Sequence, residues 1–273
     1  VIKDAGKHGI PLNDVLVIDV HGHLGVHPDP FVPEHDEKIQ AGLLNPILKR
    51  VGVDYIIVSM LKGLNIGELE ANLYLAELMQ TYRKILGYIT YIPSMIGESL
   101  TIAEQCFRLS DRFVGMKIHP DVNKYPINGS GYTPLWEYAN EKELIVLVHT
   151  WNQSPFANPE LLHDIARTYK DATILVGHSG GMGHGITTAI DLSNKYDNVY
   201  LDLTGAFIYS GKSLDFFVQQ TSSDKLLFSS DSIYNNVAWE IGNILYSRVS
   251  DEIKLKVLGL NAKRLLSKFI AIP

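Results

Sequence analysis

Several of the ten histidines in this 273-residue chain stand where short apolar runs end. His21 and His23 close VLVIDV with only Gly22 between them, His149 follows LIVLV, and His178 follows TILVG. Asp231 follows LLFSS in the same way. Side chains two residues apart on a strand share a face, so His21 and His23 put two imidazoles on neighbouring rungs. Neutral imidazole nitrogens bind Zn2+ and similar ions at about 2.0–2.1 Å, and carboxylate oxygens at about 2.0–2.2 Å. His149 and Asp231 complete a set of three nitrogens and one oxygen, with positions left for water or substrate. A single buried histidine is commonly a hydrogen-bonded core residue; a set repeated at run ends is the pattern a divalent-metal centre needs.

Further residues share these ends. Lys117 and His119 leave FVGMKI. Lys117 reads either as an active-site group or as an amine paired with an acid such as Asp19 or Asp231. His119 and Trp151 are expected to contact substrate. Asp202 and Thr204, at the end of NVYLDL, are expected to orient the histidines. Asp231 has a competing role as a helix cap within DSIYNN, which would need no histidines opposite it. Of the other histidines, His8, His35 and His163 read as surface residues, His27 as part of a Pro-rich loop and His184 as a helix start. Tyr125, Tyr132 and Tyr209 read as loop packing or as an apolar wall.

Eight apolar, β-branched runs must position these groups: 15–20, 55–60, 85–92, 113–118, 144–148, 173–177, 198–203 and 226–230. Most are apolar on both faces, as strands buried in a parallel sheet are. Between them lie segments with apolar residues at helical spacing, including GELEANLYLAELMQTYRK and ANPELLHDIARTYK. Proline marks helix entries at Asn158-Pro159 and Thr133-Pro134. Eight β-then-α units at intervals of about 25 to 40 residues, with no break in composition, predict an α/β fold: a (β/α)8 TIM barrel forming one domain over 1–273. The catalytic face of such a barrel is built at the strand exits.

Composition narrows the partners. The chain is 46% hydrophobic and 20% charged, with ample material for a core. A net charge of −6 disfavours nonspecific binding to nucleic acid or an anionic membrane, so a small-molecule substrate is expected. The single Cys106 can form no internal disulfide, and neither a membrane-spanning run nor a leader pattern is present, so a cytoplasmic location is expected. A homo-oligomer stays open.

The stretches IDVHGH, GMKIHP, VLVHT, ANPELLHDIARTYKDATILVGHSGG, NVYLDLTG, LLFSSDS and VLGLNAKRLL, in that order, resemble the amidohydrolase superfamily. They are most similar to its amidohydrolase-related branch, which includes the aminocarboxymuconate-semialdehyde decarboxylase-like enzymes. The resemblance implies that His21, His23, His149 and Asp231 hold one divalent ion, Zn2+ first among the candidates, with His178 and Asp231 as catalytic residues. FSSDS departs from the branch, which usually has Gly before the Ser-Asp pair, so the loop after Asp231 is expected to differ in shape. KIHP is also similar to a motif of dihydroorotase-like members, in which a carboxylated lysine bridges two metals. On that pattern Lys117 would be shared and His149 and His178 would serve a second ion.

An ion at this point would lower the pKa of a water from 15.7 towards about 7, which suits hydrolysis of an amide, ester or lactone. Nonoxidative decarboxylation of an unsaturated or aromatic acid is the alternative. It requires a cation for the substrate carboxylate, and only Lys62 and Lys124 are candidates in the loops considered. A noncatalytic metal- or ligand-binding barrel is the third reading.

Overall fold

The computed structural model describes residues 2–25, 36–207 and 212–273. Eight strands form one sheet: β1 (Ile18–Leu24), β2 (Tyr55–Met60), β3 (Ile85–Thr90), β4 (Phe113–Ile118), β5 (Ile145–His149), β6 (Thr173–Gly177), β7 (Val199–Asp202) and β8 (Leu226–Leu227). They lie in sequence order and each ladder is parallel. The last seam, between β8 and β1, closes through a bridge between Gly22 and Ser232 and through hydrogen bonds rather than a ladder. Val20 N donates to Phe228 O (3.1 Å), Asp231 N to His21 O (2.7 Å) and His23 N to Ser232 O (2.6 Å). The chain is therefore a nearly closed (β/α)8 barrel, as the eight runs predict. Among the described residues no helix is long and apolar enough to cross a membrane.

The barrel interior is a cluster of alternate strand residues, among them Ile18, Val20, Ile57, Leu86, Tyr88, Val114, Leu147 and Leu175. Ala262 and Leu266 of the C-terminal helix Asn261–Leu266 join this cluster, plugging the end away from the exits. A second, larger apolar layer packs the outward strand residues against the surrounding helices. The entries marked by proline hold. Pro159 opens a 3-10 turn with Asn158 Oδ1 accepting from Glu160 N, and Thr133–Glu141 is a helix with Pro134 in its first turn. His184 begins the helix His184–Lys195.

One detail escapes a strict two-residue alternation. Ile18 and Val20 are interior residues, yet His21, of opposite parity, faces the interior too. The register of β1 against β2 slips between Asp19 and Gly22, a bulge that reverses the parity. A similar slip where β3 meets β4 lets Val114 and Lys117 both point inward. The bulge strands two backbone groups, and both find partners: Tyr88 Oη donates to Val20 O (3.1 Å) and His21 N donates to Asp19 Oδ1 (3.1 Å). Gly22 is required here, because a Cβ would come within 2.6 Å of Ile56 Cδ1 and 3.0 Å of Ser232 O.

Candidate metal centre

His21 and His23 lie within β1 rather than beyond it, on the interior side set by the bulge. Their far nitrogens are engaged. Asp202 Oδ2 accepts from His21 Nδ1 at 2.5 Å, and Ser59 Oγ is hydrogen-bonded to His23 Nδ1 at 2.8 Å. Asp202 is itself held, its Oδ1 accepting from Thr204 N and from Ser229 Oγ. With Nδ1 of His21 protonated toward Asp202, its Nε2 carries a bare lone pair. That Nε2 lies 3.1 Å from His23 Nε2 and 3.6 Å from Asp231 Oδ1, while His23 Nε2 lies 3.2 Å from the same oxygen.

Three electron-pair donors thus face one point. Ligands placed tetrahedrally at about 2.0–2.1 Å from an ion are about 3.3–3.4 Å apart, and the three separations bracket that value. His21, His23 and Asp231 form a group that fits a divalent ion. Buried electron pairs facing each other repel, so the arrangement calls for a cation between them. Lys117 supplies part of it, its Nζ donating to His21 Nε2 at 3.0 Å. Its partner is therefore an imidazole, whereas Asp19, one of the acids expected for it, accepts from backbone and serine donors instead.

Burial sets the protonation states. It pushes the His21 imidazole well below 6.5, helped by the nearby Lys117 ammonium, and lowers His23 as well. Both offer neutral nitrogens. Burial also lowers the Lys117 amine to about 8 and raises the Asp19 carboxyl to about 8. Burial opposes the charge on Asp231 too, but the imidazoles of His21, His23 and His178 outweigh it and hold the carboxyl below its ordinary range.

The remaining histidines form a separate group. His178 Nδ1 donates to Thr204 O (3.3 Å), and His149 Nδ1 meets His178 Nε2 at 3.1 Å. His149 Nε2 faces Asp121 Oδ2 at 3.5 Å, and Asp121 accepts from Ser154 Oγ. The His119 and His149 rings stack with centroids 3.8 Å apart, and Trp151 lies parallel to His149 at 6.3 Å. His149 therefore stands beside the three converging donors, turned toward Asp121 and His178. The His21 and His178 rings, 5.1 Å apart, join the two groups.

Two of these residues hold a left-handed backbone that non-glycine residues rarely adopt: His178 (φ 58°) and Asp231 (φ 58°). Asp231 is not a helix cap; the next helix, Val237–Leu245, is capped by Asn236. Asp202 orients His21 as expected, and Thr204 serves through its carbonyl. Tyr132 is loop packing, its hydroxyl donating to Asn123 Oδ1, and Tyr125 Oη accepts from Gly131 N. His8 is exposed and His163 half-buried. His27, His35 and Tyr209 lie outside the described residues. Sequence reasoning missed Ser59 and Asp121. Ser59 had a signal, as the one aliphatic hydroxyl in the apolar run YIIVSM; Asp121 had none.

Lys62, a candidate carboxylate anchor, is ion-paired to Glu37 at 2.9 Å. All seven arginines are described, and they stand away from the strand exits. Arg83 and Arg112 precede β3 and β4, while Arg50, Arg108, Arg167 and Arg264 lie in the last turns of helices. Arg248 follows the end of the helix Val237–Leu245.

Solved structures share the architecture. A 2,6-dihydroxybenzoate decarboxylase from Rhizobium matches with a TM-score of 0.68 at 16% identity, over 93% of this chain and 99% of its own. A dihydroxybenzoic acid decarboxylase from Polaromonas sp. JS666, with bound manganese and 2-nitroresorcinol, matches with 0.71 at 18%, over 94% and 98%. The 5-carboxyvanillate decarboxylase from Sphingomonas paucimobilis gives 0.65 at 14%, over 93% and 99%. At such identities the likeness is one of fold. No curated protein matches at the corresponding threshold. The amidohydrolase family model, in contrast, matches residues 18–268, from the first residue of β1 to beyond the helix that plugs the barrel. With that span matched, the chain belongs to the amidohydrolase family.

Proposed function

We propose that the chain is a metal-dependent hydrolase that cleaves an amide, ester or lactone of a small molecule. The observation that carries this reading is the convergence of His21 Nε2, His23 Nε2 and Asp231 Oδ1 on one point. These three would hold one divalent ion, Zn2+ or Mn2+, with His149 as a fourth donor once turned from Asp121. Such an ion would supply Lewis acidity that brings the pKa of a water towards about 7. Asp231 offers one oxygen to the cluster and keeps the other to take the water's proton and pass it to the leaving group. His178, its Nδ1 bonded to Thr204 O, has its Nε2 on His149 Nδ1; on this reading that Nε2 leaves His149 to polarise the scissile group. Trp151 and His119 flank His149 and form the wall against which the substrate lies. Lys117 remains an amine on this reading; as a carbamate it would serve a second ion.

Decarboxylation is the second reading, favoured by the decarboxylases among the structural neighbours. It needs a cation for the substrate carboxylate. With the arginines away from the strand exits and Lys62 bound to Glu37, no arginine among the described residues is placed to hold a substrate carboxylate. The test is a turnover screen of the Zn2+- and Mn2+-loaded chain against neutral esters, lactones and amides and against hydroxybenzoates. Hydrolysis without CO2 release supports the proposal. CO2 release from a benzoate, with no hydrolysis, overturns it in favour of decarboxylation. No turnover with either ion supports a noncatalytic barrel.

A further inference from the structure

Asp19 is fully buried, and its hydrogen bonds go to none of the three converging side chains. Its partners are all on the backbone and hydroxyls around them. Oδ1 accepts from His21 N (3.1 Å) and from Ser230 N (3.0 Å), and Oδ2 accepts from Ser230 Oγ. Ser230 Oγ in turn accepts from Ser232 N (3.1 Å) and lies 2.8 Å from Ser232 Oγ. One carboxyl group therefore grips the β1 bulge, which turns His21 inward, and, directly at Ser230 and through it at Ser232, both flanks of Asp231 on the far side of the seam.

We infer that Asp19 is a positioning residue for the metal centre, locking the β1 bulge to the β8 exit so that Asp231 meets His21 and His23 at bonding distance. The inference rests on the metal reading above. Two features of the fold make such a lock necessary. The β7–β8 ladder ends at the Asp202–Leu227 pair, so no ladder orders residues 229–231. Asp231 also holds a left-handed backbone, which persists only where its surroundings over-determine it. The surroundings are the bonds from Asp231 N to His21 O and from His23 N to Ser232 O, together with the Asp19–Ser230 tie.

The test compares the 273-residue chain with Asp19→Ala, Asp19→Asn and Ser230→Ala, each stripped by chelator. Zn2+ is titrated calorimetrically, and the melting temperature of each metal-free form is recorded. Asp19→Ala is expected to weaken Zn2+ binding about 10–100-fold, the usual effect of removing a partner that orients metal ligands. Asp19→Asn is expected to stay within about tenfold of the parent, because its amide oxygen still accepts both N–H groups and its NH2 can donate to Ser230 Oγ. Ser230→Ala falls between them. Unchanged Zn2+ affinity in Asp19→Ala, with a lowered metal-free melting temperature, would overturn the inference and leave Asp19 a stabilising residue only. If Asp19→Ala does not fold, unchanged affinity in Ser230→Ala overturns it equally. A parent chain that takes up neither Zn2+ nor Mn2+ fails earlier, and that result sinks the metal reading itself.

Discussion

Two groups of imidazoles share one end of this barrel, and they are prepared differently. In the first, the outer nitrogens of His21 and His23 are taken by Asp202 and Ser59, so the inner nitrogens are left facing each other and Asp231. In the second, His149 and His178 are bonded to one another, and Asp121 and Thr204 hold their far sides. The difference lies in the partner of each far nitrogen. A carboxylate or hydroxyl behind a ring aims its other nitrogen at a common point, whereas a ring behind a ring spends both nitrogens within the group. The first group is assembled for an ion; the second must turn to reach it.

The largest effect should come from the assembled group. His23→Ala and Asp231→Ala are each expected to weaken Zn2+ binding by about a thousandfold, more than the usual 10–100-fold for an orienting partner. His149→Ala should cost only about tenfold, because part of its contribution is consumed in breaking its existing bonds. Equal losses in calorimetric titration would erase the distinction between the groups.

Lys117→Met tests the cation already at the cluster. The folded amine titrates near 8 against 10.5 when free, so burial disfavours its charge. In the metal-free chain the cost is absent above pH 10.5, grows as pH falls to 8 and is constant below. Removing the amine should therefore flatten the pH dependence of the metal-free chain's stability between pH 8 and 10.5. Urea unfolding at several pH values measures this; a variant that keeps the parent's pH dependence over that range contradicts it.

Asp202→Ala should lower Zn2+ affinity about 10–100-fold by freeing the His21 ring. Ser59→Ala removes one neutral hydrogen bond, worth about 1 kcal/mol, and should cost about fivefold. If Ser59→Ala proved the more damaging, His23 rather than His21 would be the anchor of the site.

Much of this was legible in the sequence. The eight runs became the eight strands because fully buried strands need apolar side chains on both faces, a demand visible without coordinates. His21, His23 and Asp231 could be chosen because ligating side chains at strand exits stand out against such runs. The bulge could not be read, since a shift of register leaves no mark in VLVIDV; strict alternation from Val20 would have turned His21 outward. Nor could the bonds that divide the histidines into two groups. Which atom faces His149 Nε2 depends on the path of the loop carrying Asp121, and loop paths follow from packing rather than from periodicity.

The central claim is that His21, His23 and Asp231 converge on one ion. Anomalous diffraction from crystals of the chain grown with Mn2+, recorded either side of the manganese absorption edge, tests it most directly. The account predicts an anomalous peak within bonding distance of His21 Nε2, His23 Nε2 and Asp231 Oδ1. A peak held by His149 and Asp121 away from these atoms, or no peak at this end of the barrel, would contradict it.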